Sequence, residues 1–124
     1  MTPEVLPIVI ESRFRGHGSP ERWLLNGYSY PQPNASVLTP GRRYRLRFDN
    51  RSMDDHPLHL HRHTFRVTSV AGKQFRGPSK DTVLVESKTV VDVDFTANNP
   101  GASLLHCHQQ DHMDRGFMMV LRYA

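Results

Sequence analysis

Histidines are the residues best suited to chemistry here, and seven of the eight in this 124-residue chain fall in two short windows. One window, HPLHLHRH, covers residues 56–63, and the other, HCHQQDHMDRGFMM, covers residues 106–119. The second window contains the only cysteine, Cys107, between two histidines. Because imidazole nitrogen and thiolate sulfur bind zinc and copper, the two windows predict metal sites.

Strand geometry divides the second window between two faces. If residues 104–108 are extended, successive side chains point in opposite directions, so Cys107 lies on one face and both His106 and His108 lie on the other. One strand would then contribute ligands to two separate metal sites.

The first window follows the same alternation, although a proline at position 57 can disturb it locally. His59 and His61 share one face, and His56 lies on the opposite face, where it can join the thiol. His112, five residues past the cysteine and across an expected loop, can fold back to the same place. Two imidazoles and one thiolate are the ligand chemistry of a blue copper centre. Four of the remaining five histidines in the two windows form a second cluster: His59, His61, His106 and His108.

Short strands separated by turn signals are expected to position these residues. No long segment has a convincing period of 3.6 residues, and an Asn-Gly turn at residues 26 and 27 suits a tight hairpin. This pattern predicts an antiparallel β-sandwich or barrel, and the length predicts a single domain over residues 1–124. The expected strands cover residues 5–11, a short segment from residue 22, and residues 42–48, 65–72, 82–85, 89–97, 103–108 and 116–123.

Composition limits the possible functions. The formal charge of +4 comes mainly from dispersed arginines, and in RRYRLRF at residues 42–48 they alternate with apolar residues, as on a solvated strand face. Without aromatic platforms or a contiguous basic groove, this arrangement does not favour nucleic-acid binding. No apolar run is long enough to span a membrane, and no export signal is recognisable at the amino terminus.

The two windows resemble the C-terminal copper-binding domain of multicopper oxidases, the laccase-like enzymes, whose pattern is HxxHxH followed by HCHxxxHxxxG. The resemblance covers most of the chain and implies a cupredoxin Greek-key barrel. It implies that His56, Cys107 and His112 hold the type 1 copper and that His59 binds the type 2 copper. The type 3 pair would be bound by the remaining cluster histidines: His61, His106 and His108.

The resemblance also implies a mechanism. An electron from an outside reductant enters the type 1 copper and passes through Cys107 to His106 or His108, and the trinuclear cluster reduces dioxygen to water. This makes Cys107 and its two neighbouring histidines the catalytic residues. The resemblance further implies a periplasmic or extracellular location.

Several positions depart from the family pattern or stand outside its ligand set. Phe117 occupies the axial position and cannot coordinate, so we expect a three-coordinate type 1 copper of raised potential, with Met118 pointing away. Met113 stands where many bacterial relatives have an acidic residue that passes protons to the oxygen site. Asp111 and Asp114 flank it and are the candidates to replace that residue, although a solvated surface carboxylate is the favoured interpretation of both. His63 is expected to support the ligands without binding metal.

A trinuclear cluster of this family takes eight histidines, four from this kind of domain and four from another. The first 55 residues contain only His17, which we expect to be a surface loop residue. We therefore expect a second copy of the chain, or another multicopper oxidase domain, to supply the other half. A second copy is plausible on symmetry, because the two halves of the cluster are related by an approximate twofold axis.

Two alternatives remain open from the sequence. An electron-transfer cupredoxin would hold only the type 1 copper and would leave four paired histidines without a role. A copper-binding or assembly module without turnover, or a histidine cluster loaded with zinc, would present similar residues. A nitrite-reductase-like domain is less favoured, because the HCH triplet is the oxidase arrangement.

Overall fold

The structure is a computed structural model that describes residues 2–14, 22–32 and 35–124. His17, which we expect in a surface loop, lies outside the described residues. The elements are β1 (Glu4–Arg13), β2 (Arg22–Leu25), β3 (Ala35–Leu38), β4 (Arg43–Asn50), β5 (His56–Leu60), β6 (Phe65–Val70), β7 (Lys73–Gln74), β8 (Ser79–Lys80), β9 (Thr82–Val85), β10 (Val90–Thr96), β11 (Ser103–Cys107), α1 (Gln110–Asp114) and β12 (Met118–Tyr123).

The strands form two sheets. One has the order β2-β1-β4-β10-β6-β7, with β8 also paired to β6, and the other has the order β3-β12-β11-β5-β9. Buried side chains of both sheets, such as Leu46 and Phe48 from the first and Leu58 and Leu105 from the second, belong to one apolar core. The all-β sandwich expected from the sequence is confirmed.

The alternation that predicted the strands is visible in the burial of their side chains. In β4, Tyr44, Leu46 and Phe48 are buried, whereas the intervening arginines remain exposed or half-buried. Arg45 and Arg47 make paired hydrogen bonds to carboxylates of β10, at 2.7–3.1 Å, which neutralises part of the basic face. The Asn26-Gly27 turn also forms as expected, with both residues at positive φ and Leu25 bridged to Tyr28.

Two features differ from the expected arrangement. The pairs β1–β4 and β3–β12 are parallel, whereas the sequence pattern predicted an antiparallel fold. Side-chain alternation is the same in both kinds of pair, so the pattern cannot distinguish them. The loop expected before His112 contains the short helix α1, which brings this histidine back towards the sheet.

The two ligand windows lie side by side in the second sheet. Strand β11 pairs with β5 in antiparallel register, so that His106 faces His59 and Cys107 faces Leu58. Cross-strand neighbours on one face are close enough for their side chains to meet. The pairing therefore brings together histidines that are far apart in sequence. Within the described part of the chain, no helix is long and apolar enough to cross a membrane.

Candidate metal centres

Three ligand side chains meet inside the sandwich. The Nδ1 atoms of His56 and His112 are 3.2 Å apart, and the Sγ atom of Cys107 is 3.8 Å from the first and 3.4 Å from the second. Among the described histidine, cysteine, aspartate and glutamate residues, this is the one group of three whose ligand atoms all lie within 4.8 Å of one another. We call it the buried triad.

Local structure explains how the buried triad forms. His56 begins β5, Cys107 ends β11, and the alternation of both strands directs these two side chains into the core. Helix α1 then reverses the chain and brings His112 inward, with only 8% of its surface exposed. The face predicted for each of the first two residues is therefore the face observed.

Burial disfavours the charged form of all three side chains. It lowers the pKa of His56 to about 3 and raises the pKa of the Cys107 thiol to about 11. Burial also lowers the pKa of His112, against the nearby carboxylates of Asp54 and Asp111, which raise it. Neutral imidazoles are the form that binds metal, whereas the thiol must first lose its proton.

Aromatic rings enclose the buried triad. Trp23 lies with its ring centre 4.6 Å from the ring centres of both His56 and His112, and Phe117 lies 4.7 Å from His56. Both aromatic side chains are about 1% exposed. Met118 is only half-buried, in agreement with the expectation that it points away from Phe117.

These surroundings favour copper over a structural zinc ion. A structural zinc site takes four ligands, whereas two imidazoles and one thiolate beside a non-coordinating ring suit a trigonal copper site. The group therefore fits a copper ion without a strong fourth ligand.

Four other histidines gather on the outer face of the sheet that contains β5 and β11. Nε2 of His61 is 2.9 Å from Nε2 of His106, and the ring centre of His59 lies 4.7 Å from that of His61 and 5.9 Å from that of His108. His108 is exposed, and the other three are partly or largely buried. We call this group the surface cluster, and its four members are those the sequence predicted.

Hydrogen bonds orient two rings of the surface cluster. Nδ1 of His106 lies 2.9 Å from the carbonyl oxygen of Cys107, and Nδ1 of His59 lies 2.9 Å from the carbonyl oxygen of Asp81. Since a carbonyl oxygen only accepts, each Nδ1 carries the proton and each Nε2 keeps its lone pair. Both rings are therefore in the tautomer that can bind a metal through Nε2.

Three further residues that the sequence singled out belong to neither group: Asp111, Asp114 and His63. Asp111 is exposed and lies 3.4 Å from Arg115, and Asp114 is exposed and accepts a hydrogen bond from Gln110. Their role in proton delivery stays a prediction. His63 is buried and contacts the hydroxyl of Tyr123 through Nε2, at 2.6 Å.

Sequence reasoning missed several residues at the buried triad. Trp23 was not among the residues predicted to lie at a metal site, yet its ring contacts both histidine rings. Ser52 lies 2.9 Å from Nε2 of His56, and Asp54 lies 3.9 Å from Nε2 of His112. Ser52 and Asp54 lie in the segment RSMDD, residues 51–55, directly before the first histidine window. That position was the only signal in the sequence that could have pointed to them.

Comparisons with known proteins agree with the metal-binding geometry of the two groups. The family model described as multicopper oxidase matches residues 6–124. The chain is 39% identical over 101 residues to the multicopper oxidase MmcO of Mycobacterium tuberculosis, covering 82% of this chain and 20% of that protein. It is also 44% identical over 70 residues to Laccase-5 of Trametes versicolor, covering 52% of this chain and 13% of that protein.

A solved structure shows the same fold. The blue copper oxidase of Nitrosomonas europaea superposes with a TM-score of 0.86 at 22% identity, over 97% of this chain and 43% of that one. This likeness confirms the expected cupredoxin-like fold. The chain spans about a fifth or less of the length of the two curated relatives.

Proposed function

Because the chain belongs to the multicopper oxidase family, we propose that it forms the electron-accepting part of a laccase-like oxidase and half of its oxygen-reducing site. The observation that carries this proposal is the side-by-side placement of the buried triad and the surface cluster on opposite faces of one sheet. The family implies copper as the cofactor.

We propose that His56, Cys107 and His112 would hold a type 1 copper, and that Phe117, whose ring lies 4.7 Å from that of His56, would offer it no further ligand. His59 is assigned to a type 2 copper. The type 3 pair is assigned to the other histidines of the surface cluster: His61, His106 and His108. When bound, copper at these positions supplies one-electron transfer and the reduction of dioxygen to water.

The protein positions the ligands, excludes water from the buried triad and connects the two proposed metal sites through its backbone. Trp23 and Phe117 close the buried triad on the core side, and of its three ligands only His112 retains some exposure. The edge of His112 is therefore the place where a reducing substrate meets the site. Cys107 is bonded directly to His106 and His108, so the backbone of β11 joins the two metal sites.

The surface cluster needs a partner to form a complete oxygen site. It borders an open groove of about 510 Å³ whose lining includes His59, His61, Asn98 and Asn99. We propose that a second copy of this chain, or another multicopper oxidase domain, covers this face and supplies four further histidines. The complete assembly would work in the periplasm or outside the cell.

Size and activity measured on the same sample test this proposal. The copper-loaded chain is separated by size exclusion, and copper content, optical and spin-resonance spectra and oxygen consumption with a phenol are recorded for each fraction. We expect oxygen consumption only in oligomeric fractions, or after addition of a partner domain, together with type 2 and coupled type 3 signals. One blue copper per chain, with no oxygen consumption in any fraction and none after addition of a partner domain, would instead indicate an electron-transfer protein.

Two variants separate the sites within that experiment. His61→Ala is expected to keep the blue colour and to lose oxygen consumption, because it removes a ligand from the surface cluster alone. Cys107→Ser is expected to lose both. Loss of the blue colour in His61→Ala would contradict the division of ligands between the two sites.

A further inference from the structure

A buried chain of polar side chains leads to the outer nitrogen of His56. Asn50, at the end of β4, is 1% exposed, Ser52 is 3% exposed and His56 is fully buried. The Ser52 hydroxyl lies 2.7 Å from Oδ1 of Asn50 and 2.9 Å from Nε2 of His56. Buried polar groups of this kind are costly unless every one of them is hydrogen-bonded.

The orientation of the Asn50 amide follows from its neighbours. Its Nδ2 atom lies 2.9–3.1 Å from three backbone carbonyl oxygens, those of Asp54, Val85 and Glu86. Carbonyl oxygens only accept, so the nitrogen must stand there and Oδ1 must face Ser52. Asn50 therefore presents a pure acceptor to the serine, both to its backbone N–H at 3.0 Å and to its hydroxyl.

The hydroxyl of Ser52 has two acceptor oxygens within reach: Asn50 Oδ1 and, at 3.2 Å, the carbonyl oxygen of Asp54, which already accepts from Asn50 Nδ2. The single proton of the hydroxyl is donated to Asn50 Oδ1 at 2.7 Å, which is its shortest contact. Its two lone pairs are left to accept from the backbone N–H of Asp54, at 3.3 Å, and from Nε2 of His56. Nε2 of His56 must therefore carry the proton, and Nδ1 keeps its lone pair facing the buried triad.

We propose that Ser52, oriented by Asn50, is a positioning residue that fixes His56 in the Nε2-protonated tautomer and aims its Nδ1 lone pair at the metal. The inference rests on the proposed copper site, but the hydrogen-bond chain exists in the metal-free protein. Ser52 touches neither substrate nor metal, and it acts only through His56. The hydrogen bonds of Asn50 also connect the end of β4, in one sheet, to the end of β9, in the other, and to the residue after it.

Removal of the hydroxyl is expected to affect metal binding. In Ser52→Ala the buried Nε2–H of His56 loses its acceptor, so the ring is free to change tautomer or to rotate. Loss of an outer hydrogen-bond partner of a metal-bound histidine weakens metal affinity by about 10- to 100-fold. We expect a loss of this size in Cu(I) affinity and a changed thiolate-to-copper absorption band.

The first test concerns the unmodified, metal-free chain. Nitrogen-15 NMR of the histidine side chains distinguishes a protonated from an unprotonated ring nitrogen. We expect Nε2 of His56 to be protonated and Nδ1 to be unprotonated at neutral pH. Protonation of Nδ1 would overturn the proposal, and this result does not depend on whether the chain binds copper or reduces oxygen.

The second test compares variants of the copper-loaded chain. Ser52→Thr keeps a hydroxyl and is expected to restore the absorption band and affinity that Ser52→Ala loses. Ser103→Ala is the matched control, because Ser103 is also buried and its hydroxyl lies 3.3 Å from a histidine outside the proposed ligand set, His63. This control is expected to keep the blue spectrum.

Equal affinity and spectrum in Ser52→Ala and the unmodified chain would overturn the positioning role. If Ser52→Ala fails to fold, the NMR result on the unmodified chain still decides the matter. Absence of a blue copper site in the unmodified chain would contradict the proposed function instead. The two failures are therefore distinguishable.

Discussion

The carbonyl oxygen of Cys107 lies 2.9 Å from Nδ1 of His106, so the residue that gives its thiol to the buried triad is hydrogen-bonded to an imidazole of the surface cluster. The two residues are neighbours in sequence and point to opposite faces of β11. The buried triad and the surface cluster are thus joined by one peptide bond and one hydrogen bond between adjacent residues. This arrangement would provide a short route between the electron-accepting and oxygen-reducing sites that we propose.

Replacement of Phe117 by methionine is expected to lower the reduction potential of the buried copper site. The ring lies 4.7 Å from that of His56 and offers no ligand atom, whereas a thioether can act as a weak axial ligand. Because the exchange keeps an apolar side chain of similar size, we expect a stability loss below about 1.5 kcal/mol. Redox titration followed by the blue absorption measures the change. Phe117→Leu is the control, and a potential that falls equally in both variants would contradict axial coordination.

Copper binding to the buried triad is expected to release about one proton per site at pH 7. The pKa of Cys107 is raised to about 11, so its thiol is protonated in the metal-free chain. The pKa of His56 is lowered to about 3, so its imidazole is neutral at the same pH. Apparent affinity for copper should therefore rise about tenfold per pH unit above neutrality, until the thiol ionises.

Calorimetry of Cu(I) binding in buffers of different ionisation enthalpy, with Cys107→Ser as the control, counts the protons that are released. Release of none would contradict a neutral thiol.

Strand alternation was sufficient to predict the division of the ligands, because a period of two depends only on the local backbone. It placed Cys107 opposite His106, and it placed His56 opposite His59, as the structure has them. Short strands separated by turn residues also predicted a β-sandwich or barrel, and the structure has two packed sheets. These features are local, and each can be read from a few neighbouring residues.

The features that were missed depend on contacts between distant segments. The tautomer of His56 depends on Asn50, whose amide orientation is fixed by carbonyls more than thirty residues further along the chain. The parallel β1–β4 and β3–β12 pairs likewise leave no mark on side-chain alternation. The fold class was therefore predictable, whereas the hydrogen bonds that support the ligands were not.

Arg62 provides a test of backbone strain beside the surface cluster. It has a φ of 65°, a conformation that costs about 1 kcal/mol or more for residues other than glycine. Its guanidinium donates to Asn99 Oδ1 and to the carbonyl of Pro100, at 2.8 and 2.5 Å. Arg62→Ala loses these bonds and keeps the strain, whereas Arg62→Gly loses the bonds and relieves it. We expect the glycine variant to be more stable than the alanine variant by about 1 kcal/mol in urea unfolding. The opposite order would contradict the strain.

The optical spectrum of the copper-loaded chain, measured beside that of Cys107→Ser, tests the central claim most directly. We expect the unmodified chain to show the intense blue absorption of a copper–thiolate bond, with one such copper per chain. We expect Cys107→Ser to lose this absorption entirely, because no other thiolate exists in the sequence. A colourless unmodified chain under full copper loading, or blue colour retained in Cys107→Ser, would contradict the assignment of His56, Cys107 and His112 to a type 1 copper.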